Sequence, residues 1–234
     1  MVNVTKRIDG RKQDELRPME AKVGIIKRAN GSAMFKIGNT IAIAAVYGPR
    51  ELYPGFLQHP TKGILRCEYN MMAFSGSGDR VKPGGSRRAK EISLVTQRAL
   101  LPVLDLSAYA GAVIDVFIEL VQTDAGTRCA GITAAAMALA DAGIPMKDLI
   151  TAVSVGKAGG KLVTDLNYLE DSEEGGVDLP LAMSTRTGQV TLLQMDGILS
   201  KEELKELLAL GKKASEKIKE VQVKALLDKF SGKE

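Results

Sequence analysis

The 234-residue sequence predicts a single α+β domain in which mixed β-sheets pack against helices. Many short segments alternate apolar and polar residues and are separated by glycine-containing turns, which is typical of strands. A few longer segments carry apolar residues at helical spacing, and they lie among the strands in no regular order. No internal repeat or linker divides the chain. We therefore assign residues 1–19 to a polar N-terminal arm and 20–234 to the domain.

Strands dominate the first third of the predicted domain. Four are expected, over residues 22–26, 32–37, 40–47 and 63–73. Gly48-Pro49 is expected to end the third strand, because proline cannot donate to a sheet. In the fourth, the face that carries Leu65 is the apolar one, so Arg66 and Glu68 should point away from the core.

Two helix starts follow, each with unusual chemistry. A helix is predicted from Ser86 to Pro102 with Arg87 and Arg88 in its first turn, where cations are unfavourable for the helix dipole. The central strand, residues 111–122, leads through a glycine-containing turn into an alanine-rich helix over 128–142. Free N–H groups at that turn, with Thr127 and Arg128, would suit an anion. An ordinary capped helix and two solvated arginines remain alternatives.

The C-terminal half predicts a hairpin around Gly159-Gly160, an acidic loop over 167–177 and strands over 178–184 and 189–195. Ser200 and Glu203 form a capping box that opens a long amphipathic helix. Gly211 is expected to bend or break this helix, since glycine weakens helix interiors.

Composition excludes several classes of function. His59 is the only histidine, which argues against a Ser/His/Asp hydrolase and a histidine-based zinc site. Cys67 and Cys129 are expected to be buried thiols of a cytoplasmic protein, although one disulfide remains open. Neither a signal peptide nor a membrane-spanning segment is predicted. The net charge of +4 is small, but a basic window holds Arg80, Lys82, Arg87, Arg88 and Lys90.

Three features could form one site if the fold brings them together. They are the turn of residues 126–128, the basic helix start at Arg87 and Arg88, and the carboxylate of Asp178 beyond the acidic loop. Two arginines and backbone N–H groups can hold inorganic phosphate or a phosphodiester. A carboxylate beside them could move a proton or hold Mg²⁺.

Over nearly its whole length, from about residue 7 to 230, the chain resembles the RNase PH family of phosphorolytic 3′→5′ exoribonucleases. The stretches that carry the resemblance are 7–11 (RIDGR), 31–33 (GSA), 88–92 (RAKEI), 122–128 (QTDAGTR), 152–156 (AVSVG), 165–171 (DLNYLED) and 177–178 (VD). Within the family, residues 66–69, 141–146 and 194–197 are most similar to the catalytic ring subunit of the archaeal exosome. The resemblance implies an RNase PH-like fold.

The resemblance also implies roles for individual residues. Those that match the phosphate site are Arg88, Gly126, Thr127 and Arg128. Asp178 matches the catalytic aspartate and Asp171 a second acidic position, and both would hold Mg²⁺ or Mn²⁺. The spacer between them is one residue longer than the family pattern. Arg66 and Arg87 match RNA-backbone positions, and the basic window adds Arg80 and Lys82 as expected RNA contacts.

The implied activity is that of a nucleotidyltransferase. Inorganic phosphate, the co-substrate, would attack the last phosphodiester of single-stranded RNA and release a nucleoside diphosphate, and the reverse reaction would add nucleotides. The implied assembly is a hexameric ring with an inactive sister subunit and RNA-binding cap proteins. The alternatives are a homohexameric enzyme that trims tRNA 3′ ends, a non-catalytic RNA-binding ring subunit, and a structural protein with an incidental anion site.

Overall fold

The structure is a computed structural model that describes residues 7–77, 81–82 and 85–231. Its first sheet has five strands in the order β1-β2-β3-β5-β4. These strands are β1 (Met19–Val23), β2 (Gly31–Ile37), β3 (Thr40–Glu51), β4 (Ile64–Met71) and β5 (Ala112–Gln122). All neighbours are antiparallel except β4 and β5, which are parallel.

The parallel pair is joined by helix α1 (Arg87–Leu100), because parallel neighbours require a crossover connection. The Ser86 hydroxyl caps α1 by accepting the N–H of Ala89 at 3.0 Å. Both parallel strands end at the same edge of the sheet. Consequently α1, which follows β4, and helix α2 (Thr127–Asp141), which follows β5, begin near each other.

The second sheet is antiparallel, with strand order β7-β6-β8-β9. Its strands are β6 (Ile150–Ala158), β7 (Lys161–Thr164), β8 (Val177–Ser184) and β9 (Val190–Leu193). The one-turn helix α3 (Tyr168–Asp171) lies between β7 and β8, and the long helix α4 (Lys201–Phe230) follows β9. The predicted α+β class is confirmed.

Helix α2 lies between the two sheets and is buried along almost its whole length. Its alanines allow this, because small side chains let the backbone approach both layers. The helix backbone lies very close to the first sheet at Gly31, where an added Cβ would lie 2.3 Å from the carbonyl oxygen of Ala138. The helix therefore fixes the relative position of the sheets.

Helix α4 is continuous, so the predicted break at Gly211 is wrong. The glycine serves packing instead: an added Cβ would lie 2.4 Å from Cδ2 of Leu181 in β8. A side chain at this position would push the helix off the second sheet, so glycine's cost to the helix is offset by close contact.

Some predicted boundaries also differ. Strand β1 begins at Met19 rather than residue 22, and β3 continues through Gly48-Pro49 to Glu51 with a register shift between Tyr47 and Arg50. Helix α3 lies within the predicted acidic loop. Its signal was the capping box between Asn167 and Glu170. Among the described residues, no helix has the length and apolar character to cross a membrane.

Candidate active site

The turn between β5 and α2 has the geometry of an anion site. Ala125 and Gly126 are both left-handed, with φ of 53° and 61°, and Gly126 is the N-cap residue of α2. No described side chain caps this helix start, and its first turn holds no acidic residue. The backbone N–H groups and the positive end of the helix dipole thus face a space suited to an anion. We call residues 123–128 the anion turn.

The space beside the anion turn is a cavity of about 340 Å³. Arg88, the second residue of α1, and Arg128, the second residue of α2, both line it together with Gly126 and Thr127. The two arginines, 40 residues apart in sequence, meet because the parallel strands β4 and β5 place both helix starts at one edge. All four residues predicted for phosphate binding thus lie around one cavity.

Arg128 is held in place by its neighbours. Its Nη1 donates to Oε1 of Gln194, and lies 3.6 Å from Oε1 of Glu91 on α1. The side-chain amide of Gln194 in turn donates to Glu91 at 2.9 Å. The side chain of Arg88 is exposed at the cavity and is free of such a clamp in the described contacts. Arg128 is therefore the more preorganised of the two cations.

Two carboxylates line the same cavity from the second sheet. Asp178, in β8, is half-buried and accepts a hydrogen bond from the Ser154 hydroxyl on β6. Burial raises the pKa of Asp178, and the charge of Asp171 adds to this, whereas the Ser154 hydrogen bond and Arg128 act in the opposite direction. Asp171 lies at the exposed rim of the cavity. Partial desolvation raises its pKa, whereas the positive charges of Arg88 and Arg128 lower it by a smaller amount.

The side chains around the cavity can be compared with the ligands that the predicted Mg²⁺ or Mn²⁺ would need. No group of three or more His, Cys, Asp or Glu side chains that could hold an ion occurs in the described part of the chain. Mg²⁺, however, is commonly bound by one or two carboxylates, with water and substrate phosphate completing its shell. Asp171 and Asp178 line a cavity with room for an anion, so these residues fit a metal bound jointly with substrate.

Three of the residues predicted to contact RNA lie in the described part of the chain, and none of the three lines this cavity. Arg66 projects from the other face of the first sheet, where its Nε donates to Oδ1 of Asp115 at 2.6 Å. Arg50 binds the same carboxylate. Arg87 and Lys82 are exposed near the cavity mouth, beside the lining residues Arg88 and Val81. Arg80 lies outside the described residues.

Sequence reasoning missed several residues of the site. Ser154, Tyr168 and Pro180 line the cavity, and Gln194 and Glu91 orient Arg128. Ser154 carried a weak signal, since it is a polar residue between apolar neighbours in residues 152–155 of β6. The pairing of Gln194 with Arg128 carried none, because 66 residues separate them.

Comparison with known proteins decides the family. The models of the 3′ exoribonuclease family match residues 15–145 (domain 1) and 148–214 (domain 2). The chain belongs to the RNase PH family of phosphorolytic 3′ exoribonucleases. Domain 1 of the RNase PH family contributes Arg88 and the anion turn, and domain 2 contributes Ser154, Asp171 and Asp178. The cavity therefore lies between the two matched segments.

Individual relatives agree with the RNase PH assignment. Exosome complex component Rrp41 of Pyrococcus furiosus is 52% identical over 225 residues, which cover 96% of this chain and 89% of the relative. Rrp41 of Methanopyrus kandleri is 47% identical, with 97% and 94% covered. The crystal structure of rice Rrp46 superposes with a TM-score of 0.80 at 27% identity, covering 92% of this chain and 98% of that one. The resemblance to the RNase PH family and the predicted RNase PH-like fold are confirmed.

Proposed function

We propose that this chain is the catalytic subunit of an exosome ring and shortens single-stranded RNA from its 3′ end by phosphorolysis. One observation carries the proposal: an anion cradle of two arginines and a helix start faces two carboxylates of raised pKa across a single cavity. Relatives named exosome complex component Rrp41, about half identical over almost the whole chain, support it.

In the proposed reaction, inorganic phosphate binds to Arg88, Arg128 and the backbone of the anion turn. A phosphate oxygen attacks the phosphorus of the last phosphodiester, and the bond to the 3′ oxygen of the preceding nucleotide breaks. The products are a nucleoside diphosphate and RNA shortened by one nucleotide. The two arginines stabilise the charge that develops on the phosphoryl oxygens. The acceptor is phosphate and not water, so the enzyme is a nucleotidyltransferase rather than a hydrolase.

Asp178 has two possible tasks in this reaction. Its raised pKa suits a general acid that protonates the departing 3′ oxygen. Alternatively, Asp178 and Asp171 together hold Mg²⁺ or Mn²⁺, which would supply positive charge to the phosphoryl oxygens. Ser154 orients the Asp178 carboxylate in either case, because its hydroxyl donates to Oδ1.

The proposal includes partners and a place of action. Large apolar side chains are exposed along and after β9, including Leu193, Met195 and Ile198, which supports assembly with other chains. We infer a hexameric ring shared with an inactive RNase PH-type sister subunit, with RNA-binding cap proteins on the ring. Cys67 and Cys129 are free thiols, which supports a cytoplasmic location.

Two rival functions make different predictions. A homohexameric enzyme that trims tRNA ends would form an active ring without a partner. A non-catalytic RNA-binding subunit would not need both arginines and both carboxylates around one cavity, so this arrangement favours catalysis.

The decisive experiment uses end-labelled single-stranded RNA, with and without phosphate, and the chain alone or mixed with a candidate sister subunit. Phosphate-dependent release of nucleoside diphosphates is expected, and it should depend on the sister subunit. Release of nucleoside monophosphates without phosphate would refute phosphorolysis. Full activity of the chain alone would favour the homohexameric enzyme, and no activity in any mixture would favour the non-catalytic subunit.

A further inference from the structure

A buried arginine lies directly behind the anion turn. Arg17, 5% exposed, belongs to the segment that precedes β1. Its Nε and Nη2 donate to the two carboxylate oxygens of Asp165 at 2.9 and 2.7 Å, and its backbone N–H donates to Oδ2 at 2.8 Å. Its Nη1 donates to the main-chain carbonyl oxygen of Asp124 in the anion turn. One side chain thus binds both the anion turn and the segment that leads to Asp171.

A second link runs beside the first. The carboxylate of Asp124 accepts the backbone N–H of Tyr168, the first residue of α3, at 2.9 Å. Its other oxygen accepts from the side chain of Asn39 at 3.1 Å. Asp171 is the last residue of α3, so the anion turn and this carboxylate are joined through a few short, directional contacts.

The local backbone accommodates this arrangement at some cost. Asp165 has a φ of +58°, an uncommon conformation for a residue other than glycine. Backbone strain of this kind persists only where the surroundings impose it, and it occurs most often at functional sites. The side chain of Arg17 also packs closely against Gly38, where an added Cβ would lie 2.5 Å from Cδ of Arg17. The Arg17 side chain is therefore held between Asp165, which binds its guanidinium group, and Gly38, which leaves room for its aliphatic part.

Stability alone does not explain such a pair. The desolvation of two buried charges offsets most of their attraction, and apolar residues of similar volume often stabilise a fold as well. Apolar packing cannot, however, fix two loops relative to each other through directional hydrogen bonds. Arg17 and Asp124 lie in the first matched family segment and Asp165 in the second, so the pair spans the same boundary as the cavity.

We propose that Arg17 and Asp165 are positioning residues that set the separation between the anion turn and the carboxylates of Asp171 and Asp178. Neither touches substrate. They align bound phosphate with the phosphodiester by holding the two walls of the cavity in register, and misplacement by about 1 Å can cost an enzyme on the order of 100-fold in rate. This inference rests on the proposed phosphorolytic function.

The test compares Arg17→Met and Asp165→Asn with a matched control. Lys229→Met removes an ion pair between α4 and the buried carboxylate of Asp141, at the opposite end of α2 from the cavity. Each variant is made in the full chain, within the assembly that is active. The measurements are kcat, the KM for phosphate, RNA affinity in phosphate-free buffer, and the thermal midpoint.

Arg17→Met is expected to lower kcat/KM for phosphate by roughly 10- to 100-fold while RNA affinity is unchanged. Asp165→Asn should also lower kcat/KM for phosphate and leave RNA affinity unchanged. Lys229→Met should lower the thermal midpoint and leave kcat and the KM for phosphate unchanged. Arg17→Lys keeps the charge but cannot bind both Asp165 oxygens and the Asp124 carbonyl together, so it should fall between wild type and Arg17→Met.

Kinetics of Arg17→Met that match those of Lys229→Met would overturn the proposal. If Arg17→Met does not fold, Arg17→Lys decides: wild-type kinetics in that variant would also overturn it. Failure of the wild-type protein to release nucleoside diphosphates would instead refute the proposed function. The two failures are therefore distinguishable.

Discussion

Asp178 is a carboxyl group under opposing influences. Burial and the neighbouring charge of Asp171 favour its protonated form, whereas the Ser154 hydroxyl and Arg128 favour the carboxylate. Groups balanced in this way often carry out proton transfer or bind metal, because a small change in their surroundings changes their charge.

The first residue-scale prediction concerns Asp178→Asn. The amide keeps the shape of the side chain but can neither give up a proton nor bind a metal ion as a carboxylate does. We expect both phosphorolysis and the reverse addition of nucleotides to fall by roughly 100- to 10,000-fold, with RNA binding retained. Both directions share one transition state, so a loss confined to one direction would contradict the catalytic assignment.

The same variant should change stability with a definite sign. Because the folded-state pKa of Asp178 is raised, the folded protein binds this proton more tightly than the unfolded chain does. Wild-type stability therefore falls as pH rises from the ordinary carboxyl range through the raised value. Asp178→Asn should be at least as stable as wild type at neutral pH, and this difference should vanish in acid. Urea unfolding at several pH values measures it.

Ser154→Ala tests which task Asp178 performs. The Ser154 hydroxyl stabilises the carboxylate, so its removal should raise the pKa of Asp178 further. The limb of the pH–rate profile that reports Asp178 should move to higher pH. If Asp178 is a general acid, the variant keeps its activity to higher pH than wild type. If the carboxylate binds metal, the variant needs higher pH and more Mg²⁺ to become active.

Loss of either cavity arginine, Arg88 or Arg128, should weaken the use of phosphate more than the binding of RNA. Arg88→Ala and Arg128→Ala should each weaken the use of phosphate by an amount equivalent to about 1.5–3 kcal/mol, the usual worth of a hydrogen bond to a charged group. Arg98→Ala, an exposed arginine in the last turn of α1, is the control and should behave as wild type. The phosphate dependence of RNA shortening measures the effect, and an unchanged dependence in both variants would remove these residues from the site.

At the scale of elements, the site depends on the parallel pairing of β4 and β5. Each helix start could be predicted from local sequence: Ser86 caps α1, and glycine precedes α2. Their meeting could not, because antiparallel and parallel pairing leave the same alternation of apolar and polar residues in a strand. The family resemblance named Arg88, the anion turn and the two aspartates together, and the structure places them around one cavity. Local sequence patterns alone could not show that they meet.

Gly211 illustrates the opposite case, where a local rule failed. Helix propensity predicted a break. The helix is instead continuous, and glycine is needed at residue 211 because α4 lies too close to Leu181 of β8 for a larger side chain. Gly211→Leu should overpack this contact and lower the free energy of unfolding by about 1–3 kcal/mol. Ala209→Leu, two residues away and exposed, should change it by less than about 0.5 kcal/mol. Equal stabilities of the two variants would show that α4 does not press against Leu181.

At the scale of the whole molecule, the first sheet separates two groups of arginine side chains. The cavity holds Arg88 and Arg128, whereas Arg66 and Arg50 share Asp115 on the far face. This partition was not visible in the sequence, since strand alternation assigns faces but does not show which face borders the site.

Arg66→Ala should therefore weaken RNA binding without changing the use of phosphate. If Arg66 contacts one RNA phosphate, the slope of log affinity against log salt should flatten by about 0.7. The KM for phosphate should be unchanged. Arg50 still neutralises Asp115, so the variant should fold. Lys212→Ala, exposed on α4, is the control. A salt slope identical to that of wild type would exclude β4 from the RNA path.

The division of the cavity between two segments has a consequence for synthesis of the protein. A nascent chain that has emerged as far as residue 145 carries both arginines and the anion turn, but neither Asp171 nor Asp178. If those two carboxylates act as proposed, such a chain cannot carry out phosphorolysis. Since domains fold as their residues leave the ribosome, the proposed site would be complete only after the second sheet has been translated and has packed against α2.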